Sequence, residues 1–110
     1  MSQTPTEPVY IDGQSHLEEV VSEYGVVLVD FYADWCGPCK MIEPVLEDLA
    51  SDTDAVIAKV DIDQHQRLAG ANGVQGVPTL LLYSDGQQVE RTVGVQPAEQ
   101  LRQLIDNYAA

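Results

Sequence analysis

The sequence predicts a single α/β domain: a central mixed β-sheet with helices on both faces. Three observations predict it. The run at residues 26–32 is apolar without alternation, except for Asp30, as in a strand buried on both sides. Strand-like runs alternate with segments whose apolar residues recur every three and four positions, which is the order a parallel core sheet requires. Finally, Asp85-Gly86 is a two-residue hairpin signal that adds an antiparallel strand. The 110 residues, 45% of them hydrophobic, suit one globular domain.

In chain order, residues 1–8 hold Pro5, Pro8 and mostly polar side chains and are expected to form a loose tail. This leaves 9–110 as the domain. Residues 9–12 predict a short strand. Ser15 with Glu18 has the pattern of a capping box. Leu17, Val20, Val21 and Tyr24 form a helical stripe behind it, with Gly25 as the expected C-cap. Residues 26–32 are the second strand. Ile42, Val45, Leu46 and Leu49 mark a second helix, with a kink expected at Pro44. A strand over 55–61, a weaker helix over 64–72 and a loop at Gly73 and Gly76 follow. Residues 80–84 and 88–93 are strands around the hairpin. Pro97 fits the first turn of a last helix, whose apolar face is Leu101, Leu104, Ile105 and Tyr108. The order is β-α-β-α-β-α-β-β-α.

Five Lys+Arg against 18 Asp+Glu give a net charge of −13. So few bases make no stripe for a phosphate backbone and no patch for an anionic membrane, so neither nucleic acid nor membrane is an expected partner. The longest aliphatic run, 26–29, is too short to span a bilayer. No basic, then apolar, N-terminal pattern marks a secretory signal, and a cytoplasmic monomer is expected. The acid excess resembles that of proteins from salt-loving organisms, where molar salt shortens screening to about 3 Å.

The two cysteines, Cys36 and Cys39, lie three positions apart. Zinc needs about four ligands, and His16 and His65 lack the spacing of a ligand pair. A bridge over so short a loop contributes only about 2 kcal/mol by the chain-entropy model, which is weak stapling. At the start of a helix, i and i+3 Cβ atoms lie about 5–6 Å apart, and a disulfide wants about 3.8 Å, so a small adjustment opens or closes the bridge. Cys36 faces the unpaired N–H groups of the helix, which favour a thiolate, and is expected to be the exposed nucleophile. Cys39, one turn in, is expected to be more sheltered. Such a pair beside a βαβ pattern reads as redox chemistry. The fragments Asp61-Ile62-Asp63 and Asp52-Thr53-Asp54 lack the glycine and glutamate of a calcium loop. No phosphate loop or dinucleotide fingerprint is present, so no cofactor and no metal is expected.

The run Val29-Asp30-Phe31-Tyr32-Ala33-Asp34-Trp35-Cys36-Gly37-Pro38-Cys39-Lys40 resembles the active-site strand, turn and helix of the thioredoxin family. The resemblance continues in Lys59-Val60-Asp61-Ile62-Asp63, Gly76-Val77-Pro78-Thr79-Leu80 and Val93-Gly94, from about residue 9 to the end. It implies a thioredoxin fold and reduction of protein disulfides, with recycling by a thioredoxin reductase. Cys36 then resembles the nucleophile and Cys39 the resolving cysteine, with Asp30 as its proton partner and Lys59 as the partner of Asp30. Taken alone, Lys59 reads as a solvent-facing strand lysine. Trp35, Gly37, Pro38 and Lys40 complete the active-site loop. Pro78 implies a cis bond beside the dithiol. Trp35, Ile62, Gly76, Val77, Pro78, Gly94 and Val95 match the family's docking surface for disulfide-containing protein substrates, by strand addition. Tyr32 and Gln75 depart from residues common in the family. The rival readings are a thiol oxidase or isomerase, distinguished by its potential, and a binding module with idle cysteines.

Overall fold

The computed structural model describes residues 4–109. Of the expected tail, residues 1–3 lie outside the described ones, and 4–8 carry neither helix nor strand. The elements follow the expected order: β1 (Val9–Tyr10), α1 (Gln14–Glu23), β2 (Val26–Tyr32), α2 (Gly37–Asp52), β3 (Val56–Asp61), α3 (Gln66–Ala71), β4 (Thr79–Ser84), β5 (Gln87–Val93) and α4 (Ala98–Tyr108). They build one five-stranded sheet in the order β1-β3-β2-β4-β5.

Strand alternation sorts the core into two layers. Val27, Val29 and Phe31 of β2 join Val56, Ala58 and Val60 of β3 in a cluster with Leu17, Val20 and Val21 of α1 and Leu68 of α3. On the other face, Val26 and Leu28 join Ala55, Ile57, Leu80 and Leu82 under Ile42, Leu46 and Leu49 of α2 and Leu101 and Ile105 of α4. By the same period of two, Asp30 and Lys59 belong to the face that α2 covers. They are register partners on adjacent parallel strands.

The antiparallel part of the sheet begins one strand earlier than the hairpin signal suggested, because β4 already runs antiparallel to β2. Helix length explains it. A parallel β4 would need a return along the whole sheet, whereas α3 has six residues and rises only about 9 Å. The chain therefore enters β4 from the end at which it left β3, which is also where β2 delivers the cysteines. The hairpin itself is as expected: Asp85 and Gly86 both have positive φ, 51° and 85°, as this two-residue turn requires.

Three local signals resolve differently. The capping box at Ser15 and Glu18 does not form. Helix α1 starts at Gln14 with Gly13 as N-cap and no side-chain cap. His16 Nδ1 instead accepts the Asp12 N–H at 2.9 Å, and Glu18 receives the Gln14 amide at 3.4 Å. Gly25 is not a left-handed cap, since the helix exits through Tyr24 in extended conformation, φ −113°. Pro97 is the N-cap of α4, at φ −60° and ψ 143°, rather than part of its first turn. Pro44 does lie inside α2.

Candidate active site

Cys36 is the N-cap of α2, and Gly37 and Pro38 open the helix. Pro38 stands where a backbone donor would have no intrahelical partner. The Cys36 N–H donates to the Ala33 carbonyl at 3.2 Å, and the Lys40 N–H closes the first turn on the Cys36 carbonyl at 3.3 Å. The two cysteines form a disulfide with Cα atoms 5.3 Å apart. Cys36 Sγ accepts the Cys39 N–H at 3.1 Å, so the helix N-terminus does aim a donor at this sulfur.

The expected contrast in exposure is absent from this disulfide state. Cys36 is 4% exposed and Cys39 2%. The bond to Cys39 draws the Cys36 sulfur into a small cluster with Ala33, against which Tyr32, Ile62 and Val77 pack. Trp35, Gly37, Pro38 and Lys40 stand outside it and are exposed. Trp35 is held at the surface by its indole N–H, which donates to Asp63 Oδ2 at 2.9 Å.

The loop before β4 meets the disulfide from the other side. The Val77–Pro78 bond is cis. Gly94, at the end of β5, donates its N–H to the Pro78 carbonyl at 2.8 Å, which brings Gly94 and Val95 beside Gly76, Val77 and Pro78. A groove of about 460 Å³ runs between Trp35, Ile62, Asp63, Val74, Gly76 and Val77. A second cleft of about 370 Å³ lies between α1, α3 and the hairpin and contains none of these residues.

On the sheet face that α2 covers, Asp30 is fully buried. Neither of its carboxylate oxygens has a hydrogen-bond partner among the described residues. Burial raises its pKa from 3.8 to about 7; Lys59 opposes that rise and Glu43 adds to it. Lys59 is itself buried, contrary to its reading as a solvent-facing lysine. Helix α2 packs over this face of the sheet and covers the lysine side chain. Its Nζ is 4.0 Å from Asp30 Oδ2, 3.6 Å from Glu43 Oε1 and 4.5 Å from the ring centroid of Tyr32. Tyr32 stays a neutral phenol, its pKa pushed up to about 12 by burial and by Asp61.

Sequence reasoning did not single out Glu43 and missed its contact with Lys59. The available signal was its position four residues after Cys39, on the same helix side. It also passed over Met41 and left Val93 out of the docking surface, although they are 70% and 60% exposed. Val93 pairs with Thr79 next to Pro78 and so extends the apolar surface.

A family model described as Thioredoxin matches residues 7–107. A thioredoxin of Staphylococcus aureus is 50% identical over 88 residues, covering 78% of this chain and 85% of its own. Among solved structures, a mutant thioredoxin from Halobacterium salinarum is 55% identical with a TM-score of 0.96, over 100% of this chain and 97% of that one. A Schistosoma mansoni thioredoxin is 28% identical with a TM-score of 0.86, over 97% and 99% of the two chains.

Proposed function

The chain belongs to the thioredoxin family, and from that premise we propose how its residues share the work of a thiol–disulfide oxidoreductase. The Cys36 thiolate attacks one sulfur of a target disulfide. A mixed disulfide forms and the first target thiolate leaves. Cys39, deprotonated by Asp30, then attacks Cys36 Sγ, breaking the mixed disulfide and releasing the second target thiolate. Two electrons pass to the target, and the Cys36–Cys39 disulfide is the product left on the protein. A thioredoxin reductase returns the electrons.

The observation that carries this reading is the disulfide at the start of α2, with Cys36 Sγ accepting the Cys39 N–H at 3.1 Å. The same donor in the reduced protein stabilises a Cys36 thiolate. Asp30 suits its role because a carboxyl with pKa about 7 matches proton transfer at neutral pH. Lys59 tunes Asp30. The exposed Trp35 and Val95, with Ile62, Gly76, Val77 and Gly94, form the docking surface for a target's extended segment, and Pro78, expected on that surface, is buried behind it. Gly37, Pro38 and Lys40 frame the dithiol. The protein acts as a monomer, because this face must be free for targets. It acts in the cytoplasm, where a reducing dithiol is kept reduced. No described helix is long and apolar enough to cross a membrane.

Insulin-disulfide reduction tests the assignment. Cys36→Ser is expected to abolish turnover. Cys39→Ser is expected to accumulate a mixed disulfide through Cys36, visible as a mass increase that dithiothreitol removes. Full activity in both variants would refute the dithiol mechanism.

A further inference from the structure

Glu43 is 48% exposed at its side chain, yet it pairs with a lysine that is 4% exposed. Cys39 and Glu43 are four residues apart on α2 and so lie one turn apart on one side of it. Asp30 and Lys59 are facing strand residues on the sheet face that α2 covers. The Lys59 ammonium stands 3.6 Å from Glu43 Oε1 and 4.0 Å from Asp30 Oδ2. The latter distance is beyond hydrogen-bond reach, and both Asp30 oxygens lack a donor among the described residues. One cation thus serves two carboxylates and stands nearer the outer one. Tyr32 and Tyr10 hold it from the side, with ring centroids at 4.5 Å and 5.6 Å.

We propose that Glu43 is a positioning residue for Asp30: it draws the Lys59 ammonium outward and so withholds from the buried carboxyl the donor that would lock it into an ion pair. The inference rests on reading Asp30 as the proton acceptor for Cys39. A carboxylate bound directly by Lys59 would be held ionised and would be a poor base. A lysine shared with Glu43 leaves Asp30 able to take a proton and give it back. The charged groups acting on Asp30 are Lys59 from β3 and Glu43 from α2. Strand β4 presents the apolar Leu80, and Tyr10 of β1 reaches the site through Lys59. When the protein is reduced, the thiols of α2 join this set.

Carboxyl NMR titration of Asp30 in the oxidised protein is the test, in wild type, Glu43→Gln, Lys59→Met and the double variant. With Glu43→Gln, Lys59 turns to Asp30 and the midpoint falls by about one pH unit. Glu43→Asp, with a shorter reach, gives an intermediate midpoint. Lys59→Met raises the midpoint, and in that background Glu43→Gln has less than half its effect, since the shared cation is gone. An unmoved midpoint in Glu43→Gln, or an equal shift with and without Lys59, overturns the proposal. A purely structural role for Glu43 would change the melting temperature and leave the titration in place. Insulin reduction by the wild type is run separately. Its failure would refute the dithiol reading without altering what the titration says about Glu43.

Discussion

Asp30 occupies a position in β2 where an aliphatic side chain would stabilise the fold. Its folded pKa of about 7 lies above the ordinary 3.8, so the folded protein binds this proton more tightly than the unfolded chain. The associated stability is fully present below pH 3.8 and is lost as pH rises to about 7, after which it changes no further. The full span is on the order of 4 kcal/mol. Oxidised Asp30→Asn should therefore gain stability relative to wild type progressively between pH 4 and 7, with the difference level above that. Urea unfolding at a series of pH values reads this, and a difference independent of pH would show that Asp30 titrates normally. The same substitution should leave the first attack by Cys36 nearly intact and slow release of the mixed disulfide. Asp30 was legible in the sequence because it alone interrupts an apolar strand. Burial of Lys59 was not, because a strand with one polar position reads equally well with that position in water. The Glu43 contact was hidden for a further reason: it joins α2 to β3 through the tertiary packing of a helix on the sheet, which no local pattern encodes.

At the scale of elements, backbone conformation decides the sign of otherwise similar substitutions. Gly86 in the β4–β5 turn has φ 85°, while Gly70 lies inside α3 with nothing within 4 Å of an added Cβ. Gly86→Ala forces an L-residue into the left-handed region and should cost about 1 kcal/mol. Gly70→Ala relieves the entropy a helical glycine loses on folding and should stabilise by about 0.5–1 kcal/mol. Denaturant midpoints should move in opposite directions, and a shared direction would contradict the backbone assignment at one of the two sites. The Asp85-Gly86 turn was legible because its chemistry is local. The reversed direction of β4 was not, because it follows from how far the short α3 can carry the chain. The start of α1 was misread for a related reason: His16 competes as an acceptor one turn in, and a pattern of Ser and Glu does not reveal that competitor. Yet α3 and β4 matter most to the site, since together they bring Pro78 to the end of the sheet where Cys36 emerges.

For the molecule as a whole, 18 Asp+Glu stand against five Lys+Arg, and apart from the buried Asp30, Asp61 and Lys59 these charges lie towards the surface of a body whose radius of gyration is 12.6 Å. Even if every base paired, most carboxylates would have no cation partner. Exposed pairs such as Arg102 with Asp52, at 3.4 Å, contribute little each. The Debye length is about 10 Å at 0.1 M salt and about 3 Å at 1 M. In dilute buffer each carboxylate therefore feels much of the surface, and in molar salt only its nearest neighbours. Self-repulsion destabilises the compact state, so the melting temperature should rise by several degrees between dilute buffer and molar KCl. Sucrose at matched osmolality separates screening from general exclusion effects, because it leaves the charges unscreened. Glu19→Lys with Glu47→Lys, both at exposed helix positions, should raise the melting temperature in dilute buffer and flatten its salt dependence. A salt response unchanged by that double substitution would mean that preferential exclusion, rather than charge, governs it. Insulin reduction should be little altered by the pair, since neither residue lines the groove beside Trp35. The acid shell is thus expected to set the salt in which the fold is most stable, while the fully buried Asp30 is expected to set how that stability changes with pH.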